Sequence, residues 1–284
     1  AGSAAEPLAV AWAQNEFEKE GIEVRLEPVM VPVWLRGDES AAIVKPAPQP
    51  LSILGLGGTV GTRPGGITAP VVVVSSGEEL TALGQPKVAG RIVLFDNPFV
   101  RTGEDFSDYG RAVRYRGRGA SDAARLGAVA ALVRSVGTAT LRTPHTGALR
   151  YEDDAPKIPA AAVSIEDAML IRRLTDAGHD VVVTLKLGAR TLADRPGANV
   201  VAEVKGREKP EEIVVVGAHL DSWDVGTGAI DDGAGCAGQA SWTSAERSDV
   251  SPPRRRRPVR SARRPRRGCG RGPWPRRARG RPPG

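Results

Sequence analysis

Four β-branched residues in a row, Ile213 to Val216, followed at once by Gly-Ala-His-Leu-Asp, constrain this chain more than any other stretch. A short continuous apolar run of this kind reads as a strand buried on both faces, as in a parallel sheet. The strand ends at Gly217, so His219 and Asp221 fall at its carboxyl end, the rim where open α/β folds place their sites. A neutral imidazole binds a divalent metal through one nitrogen and gives its other N–H to a carboxylate, which fixes the tautomer and raises basicity. Ten residues on from Asp221 come the adjacent carboxylates Asp231 and Asp232, flanked by Gly226, Gly228, Gly233 and Gly235. Two carboxylates side by side repel unless a cation lies between them, and the glycines permit a close backbone approach. A bare His-x-Asp also has a plainer reading, a structural histidine satisfied by a local hydrogen bond.

Composition divides the chain in two. Residues 1–246 carry 25 Lys and Arg against 32 Asp and Glu, whereas residues 247–284 carry 15 Arg against one Asp. The net charge of +7 is therefore the sum of a mildly acidic body and a strongly basic tail. The cysteines, Cys236 and Cys269, exclude a disulfide framework or a Cys-rich zinc module. No apolar run reaches 18 residues, so no membrane span is expected. The chain opens at Ala1 without a signal-peptide core and reads as a mature form or a fragment.

Residues 7–20 read as a helix, opened by Pro7 and stopped by Gly21, with Leu8, Ala11 and Trp12 packed inward on one face. From Ile22 the apolar period becomes two, with a slip at Pro28 where a bulge is expected. Trp34 reads as a half-buried packing residue, with a place in a site as the alternative. The glycine-rich stretch 51–66 lacks both a following helix and a P-loop lysine, so it reads as a linker and not a nucleotide loop. Residues 70–188 alternate short elements: strands at 71–74, 90–95, 127–135 and 181–187, a helix at 77–83, and a helix beginning at 121–126. His145 reads as a loop residue in solvent or a local hydrogen bond, with a cleft position as the alternative. His179 reads as a charge at a helix C-terminus. Arg111, Arg114, Arg116 and Arg118 form a basic cluster. A solvated face balanced by Glu104, Asp105 and Asp108 explains it better than nucleic acid does. Residues 199–203 read as a strand and 206–210 as a turn, giving a hairpin into the 213–216 strand.

The string GAHLDSWDVG…DDGAG resembles the first metal motif of the zinc aminopeptidases with two co-catalytic metals, and within them the carboxypeptidase Q branch. Residues 27–41 and the glycine-rich stretch 51–66 look like the same branch. KVAGRIVLFD, GASDAARLGAVAALVRSV, PHTG and PKIPAAAVSIEDA resemble its protease-associated domain, a mainly β insert that shapes or covers the cleft and carries no metal ligand. The resemblance implies that His219 is a metal ligand, Asp221 its orienter, Asp231 the bridge between two zinc ions and Asp232 its cis-peptide partner. It also implies zinc-dependent hydrolysis of short peptides at an unblocked end, in a secreted or periplasmic setting.

The likeness stops within a residue or two of Ala237. The family continues with a helix, an adjacent Glu-Glu pair that supplies the general base and a ligand, a further acidic ligand and a final histidine. Here the histidines are His145, His179 and His219, and the ligating residue types after Ala237 are Glu246, Asp249 and Cys269. From Ser251 the chain uses Ser, Pro, Arg, Val, Ala, Gly, Cys and Trp alone, and is expected to be disordered. A GC-rich coding sequence read out of frame explains this composition. The alternative is a true Arg/Pro tail that binds nucleic acid without sequence preference. The expectation is therefore an α/β fold with an incomplete aminopeptidase-type core: an N-terminal segment 1–66, a protease-associated insert 67–188, the start of the catalytic core 189–238 and a disordered tail 239–284. Such a chain is expected to be inactive as written. A non-catalytic interaction module built on the insert is the runner-up.

Overall fold

The computed structural model describes residues 2–103, 107–137 and 141–238. The chain begins with helix α1 (Glu6–Lys19) and the long strand β1 (Val24–Leu35). Strands β2 (Glu39–Lys45), β3 (Gln49–Leu51), β4 (Ile53–Gly55) and β5 (Ile67–Val74) follow, then α2 (Gly77–Val88) and β6 (Ile92–Phe95). Next come α3 (Ser107–Ala112), α4 (Arg114–Arg125), β7 (Ala130–Arg134), β8 (Ala160–Val163), α5 (Ile165–Asp176), β9 (Val182–Leu187) and β10 (Arg190–Ala202).

Strands β2 to β9 build one mixed eight-stranded sheet in the order β3-β2-β9-β5-β6-β7-β8-β4. Its centre, β5 to β8, is parallel, and the flanking strands are antiparallel. Parallel strands need crossovers: α2 supplies the one from β5 to β6, and α3 with α4 the one from β6 to β7. Two of the helices start where the sequence offers a cap. Ser76 Oγ accepts from the Glu79 amide at the start of α2, and Ser164 Oγ accepts from the Asp167 amide at the start of α5. The helices cover both faces. Ala168 and Ile171 of α5 pack on one, against Val71, Leu94, Leu132 and Val183; Leu80 and Val88 of α2 and Ala120 and Ala123 of α4 pack on the other, against Val93 and Phe95. Ile92, Val93, Leu94 and Phe95 are consequently all 0% exposed.

Beside this sheet, β1 and β10 pair into a two-stranded antiparallel ribbon, and α1 lies on it. Glu6 and Val31 crowd Gly197: a Cβ there would fall 2.6 Å from Val31 Cγ2 and closer still to the Glu6 carboxylate. Among the described residues, no helix is long and apolar enough to cross a membrane.

The mixed α/β class stands as expected, but several elements differ from the sequence reading. The boundary placed between residues 66 and 67 cuts through the sheet, because β2 to β4 pair with β9 and β8. The stretch 51–66 is correspondingly part of the sheet edge and not a bare linker: Gly57 bridges to Ala148 and Thr59 Oγ1 accepts from the Ala160 amide. The helix placed at 121–126 is the end of α4, which starts at Arg114. The irregularity in β1 falls between Val31 and Val33, at Pro32, while Pro28 keeps register with Ala198. Leu8 and Trp12 are 72% and 48% exposed and Ala11 is exposed, so the inward face of α1 is carried by Ala13 instead. A ribbon of two strands is too narrow to cover a wider stripe of the helix.

The largest departure concerns residues 213–216. They form no strand, and Ile213, Val214 and Val215 are 83%, 78% and 85% exposed. The hairpin expected to lead into them is absent too, because Val200 to Ala202 take Leu26 to Val24 of β1 as partners. β-branched side chains favour extended backbone, but a strand exists only where a ladder partner accepts its hydrogen bonds. Among the described residues none lies beside 213–216. The tail 239–284, with Glu246, Asp249 and Cys269, lies outside the described residues, as do Glu104 and Asp105.

Candidate metal centre

The segment after Val216 turns back on itself, and a helical turn over 233–238 closes it. Its fold is local. The His219 amide donates to Asp232 Oδ2 at 3.2 Å, the Gly233 amide to Gly228 O at 2.8 Å and the Cys236 amide to Asp232 O at 3.0 Å. The Cys236 thiol donates to His219 O at 3.4 Å. Gly228 has φ +66° and a Cβ there would meet Ser222 at 2.5 Å, so a glycine is required for this fold-back. The Asp231–Asp232 peptide is cis.

This fold-back brings together three of the residues singled out by sequence. The His219 ring lies between two aspartates: Nδ1 is 2.8 Å from the Asp221 carbonyl oxygen and 3.1 Å from its carboxylate, and Nε2 is 3.0 Å from Asp231 Oδ1. The Asp221 carbonyl, then the Asp231 carboxylate, push the His219 pKa above its usual value. Asp232 does not face the ring. Its carboxylate serves the His219 backbone. The cluster is open, with side chains of His219, Asp221 and Asp231 50%, 49% and 80% exposed.

The donor set suits zinc in kind and in spacing. Imidazole nitrogen and carboxylate oxygen are both zinc ligands, and two ligands on one tetrahedral ion lie roughly 3.3 Å apart. With Nδ1 held by Asp221, Nε2 is the nitrogen that would be offered to a metal, on the side where Asp231 stands. Yet no group of three or more His, Cys, Asp or Glu side chains placed to hold a metal occurs among the described residues. His219 and Asp231 thus fit as part of a zinc site.

Two of the aspartates' neighbours in sequence tie the loop to the sheet. Trp223 lies over Gly57, where a Cβ would be 2.5 Å from its ring, and Asp224 pairs with Arg36 at 2.7 and 2.8 Å. Arg36 and Asp224 were not singled out by sequence reasoning. Asp224 sits inside the motif string, but Arg36 is 188 positions away with no pattern to mark it. An open cleft of about 1020 Å³ runs from this loop to α1 and the ribbon, lined by Trp12, Phe17, Val31, Trp34, His219 and Asp231 among others. Trp34 is half-buried, as expected, and its indole N–H donates to Thr59 O at 2.9 Å.

The other histidines lie elsewhere. The His145 amide donates to Ser135 Oγ at 2.9 Å, its ring stands 6.4 Å from Tyr109, and desolvation followed by the Arg116 charge lowers its pKa. The His179 amide donates to Leu174 O at 3.0 Å, beyond the C-terminus of α5. In the basic cluster, Arg111 pairs with Asp108, Arg118 with Glu152 at 3.3 Å, and Arg116 donates to Tyr109 Oη and Thr146 O.

The profile of Peptidase family M28 matches residues 199–256, a span that includes the whole fold-back. The match runs past Ala237, where the sequence reading ends the likeness, into residues outside the described set. Carboxypeptidase Q of Xenopus laevis is 46% identical over 228 residues, covering 80% of this chain and 47% of the relative. A solved peptidase M28 precursor from Shewanella amazonensis SB2B superposes with a TM-score of 0.79 at 42% identity, over 87% of this chain and 55% of that one. A zinc aminopeptidase from Bacillus subtilis shares the fold at a TM-score of 0.57 and 20% identity, over 87% and 53%. The chain spans about half the length of the curated relatives it matches. The chain is thus similar to Peptidase family M28 over residues 199–256 and to carboxypeptidase Q over 80% of its length.

Proposed function

We propose that residues 217–238 supply the first ligands of a co-catalytic zinc peptidase site that hydrolyses short peptides at an unblocked end. The observation that carries this is the His219 ring set between Asp221 and Asp231, with Nε2 and Asp231 Oδ1 3.0 Å apart, inside the span matched by the peptidase family. Asp221 holds Nδ1 and so orients the ring, while Asp231 stands as the carboxylate ligand that two ions would share. Asp232 shapes the turn through the His219 and Cys236 amides. Zinc, when bound, would act as a Lewis acid on the scissile carbonyl. The sheet unit is read as the protease-associated domain bordering the cleft, supported by the contact of Trp223 with Gly57. A secreted or periplasmic setting follows from the same resemblance.

On this reading the chain as written binds zinc weakly and is inactive. A zinc site takes three or four protein ligands, and among the described residues His219 with Asp231 makes two. Loss of a general base alone typically costs 10²–10⁴-fold, a loss compounded by the incomplete metal set. Dialysed protein should hold well under one zinc per chain and show no chelator-sensitive cleavage of unblocked dipeptides. Stoichiometric zinc that is lost in His219→Ala, together with such cleavage, would overturn the inactive reading and confirm the site. Zinc uptake insensitive to both His219→Ala and Asp231→Ala would overturn the site itself.

A further inference from the structure

The loop that carries His219 is highly exposed and makes its hydrogen bonds mostly within itself. What sets it against the rest of the molecule is therefore a question for the residues at its far end. There the Asp224 carboxylate receives two parallel hydrogen bonds from Arg36, Nε at 2.8 Å and Nη2 at 2.7 Å. A planar guanidinium and a carboxylate meeting in this two-pronged way fix direction as well as distance. The arginine is itself held. Its side chain is 9% exposed, its plane lies 5.1 Å over the Trp34 ring, Nη1 donates to the Gly55 carbonyl, and Glu39 lies 3.8 Å from Nη1 while accepting from the Gly55 amide at 2.8 Å. Gly55 ends β4, an edge strand of the eight-stranded sheet. The guanidinium thus faces the loop from a preset position, and the loop's own carboxylate, 50% exposed, is the movable partner.

We propose that Arg36 and Asp224 form a clamp that sets the metal-motif loop against the edge of the eight-stranded sheet, making Arg36 a positioning residue for the site built on His219. The inference rests on the reading of His219 and Asp231 as metal ligands. Trp223, adjacent to Asp224, packs on Gly57 as the apolar half of the same contact. Five positions separate Asp224 from His219, so release of the clamp frees the segment that carries Asp221 and with it the group that orients the imidazole.

The test uses the full chain and cobalt(II) chloride alone as the metal probe, with Asp224→Asn, Asp224→Glu and Arg36→Lys. Amide hydrogen exchange at Gly226, which donates to Trp223 O, reads the loop; Leu94 and Val183 amides in the sheet read the fold. Asp224→Asn should speed exchange at Gly226 by about ten- to a hundredfold while the sheet amides hold, since a hydrogen bond to a charged group is being removed. The apparent cobalt dissociation constant, read from broadening of the His219 ring signals, should rise by about tenfold or more. Asp224→Glu keeps the carboxylate and should recover most of both, and Arg36→Lys should recover part, since an ammonium cannot form the fork. Unchanged exchange and unchanged cobalt affinity in Asp224→Asn would overturn the clamp. Should the unaltered chain show no cobalt effect at His219, the metal reading fails and Arg36 loses its positioning role; the exchange result then decides the clamp by itself.

Discussion

Residues 92–95 and residues 213–216 are both runs of four apolar residues rich in Ile and Val, and their fates are opposite. Ile92 to Phe95 are all 0% exposed, paired on both edges by β5 and β7 and covered on both faces. Ile213 to Val216 are 54–85% exposed and unpaired among the described residues. The same kind of local sequence is a core strand in one place and a solvated segment without secondary structure in the other. What differs is the presence of neighbours, since a strand's stability resides in its ladder and in the layers above and below it.

The strongest way to break this comparison is to truncate both runs. Leu94→Ala or Leu132→Ala, at 0% exposure in the sheet, should cost about 2–5 kcal/mol in urea unfolding. Ile213→Ala or Val215→Ala should cost less than about 0.5 kcal/mol, as expected of a surface position. Equal losses at the two runs would mean that 213–216 is buried in solution. Limited trypsin digestion sharpens the same contrast. Lys205 and Arg207 are exposed ahead of the unpaired run, and cleavage there should outpace cleavage at Arg91 or Arg134 by at least about tenfold, because the sheet must open before it is cut. First cuts at Arg134 would reverse the ranking.

The contact between the sheet edge and the loop that follows the 213–216 run should respond more mildly. Gly57→Ala places a methyl against the Trp223 ring, and the ring sits on an exposed loop that can shift. A loss of about 1 kcal/mol or less is expected, at the low end for overpacking, with a change in tryptophan emission as the readout. A loss approaching that of Leu94→Ala would show the loop to be held as firmly as the sheet.

The smallest effect concerns pH and lies wholly on the sheet side. The Asp108 carboxylate accepts from the Thr102 and Gly103 amides and the Thr102 hydroxyl, with Arg111 beside it, and these hold its pKa below the ordinary carboxylate value. A carboxyl group lowered on folding contributes stability that is fully present above its unfolded pKa and is lost as pH falls through the folded one. Asp108→Asn should therefore flatten the acid side of the stability profile and leave the neutral-to-alkaline side unchanged in slope. An unaltered acid slope would remove Asp108 from that account.

Much of the molecule was legible before any coordinates. The alternation of short apolar runs in residues 67–188 gave the positions of β5, α2, β6, β7 and β9, because those elements satisfy local propensity and tertiary pairing together. The meeting of His219, Asp221 and Asp231 was legible too, since a glycine-rich turn of a dozen residues can close on itself without help from the rest of the chain. What the sequence by itself determined was thus what local chemistry decides: turns, apolar runs and which side chains meet in the fold-back. Only the tertiary structure decided that β2 to β4 join the sheet, that Val200 pairs with Leu26 and not with the 213–216 run, and that Arg36 reaches Asp224 across 188 positions. Pairing and clamping are contacts between residues far apart in the chain, and neither partner's own neighbourhood records which distant group will arrive to satisfy it.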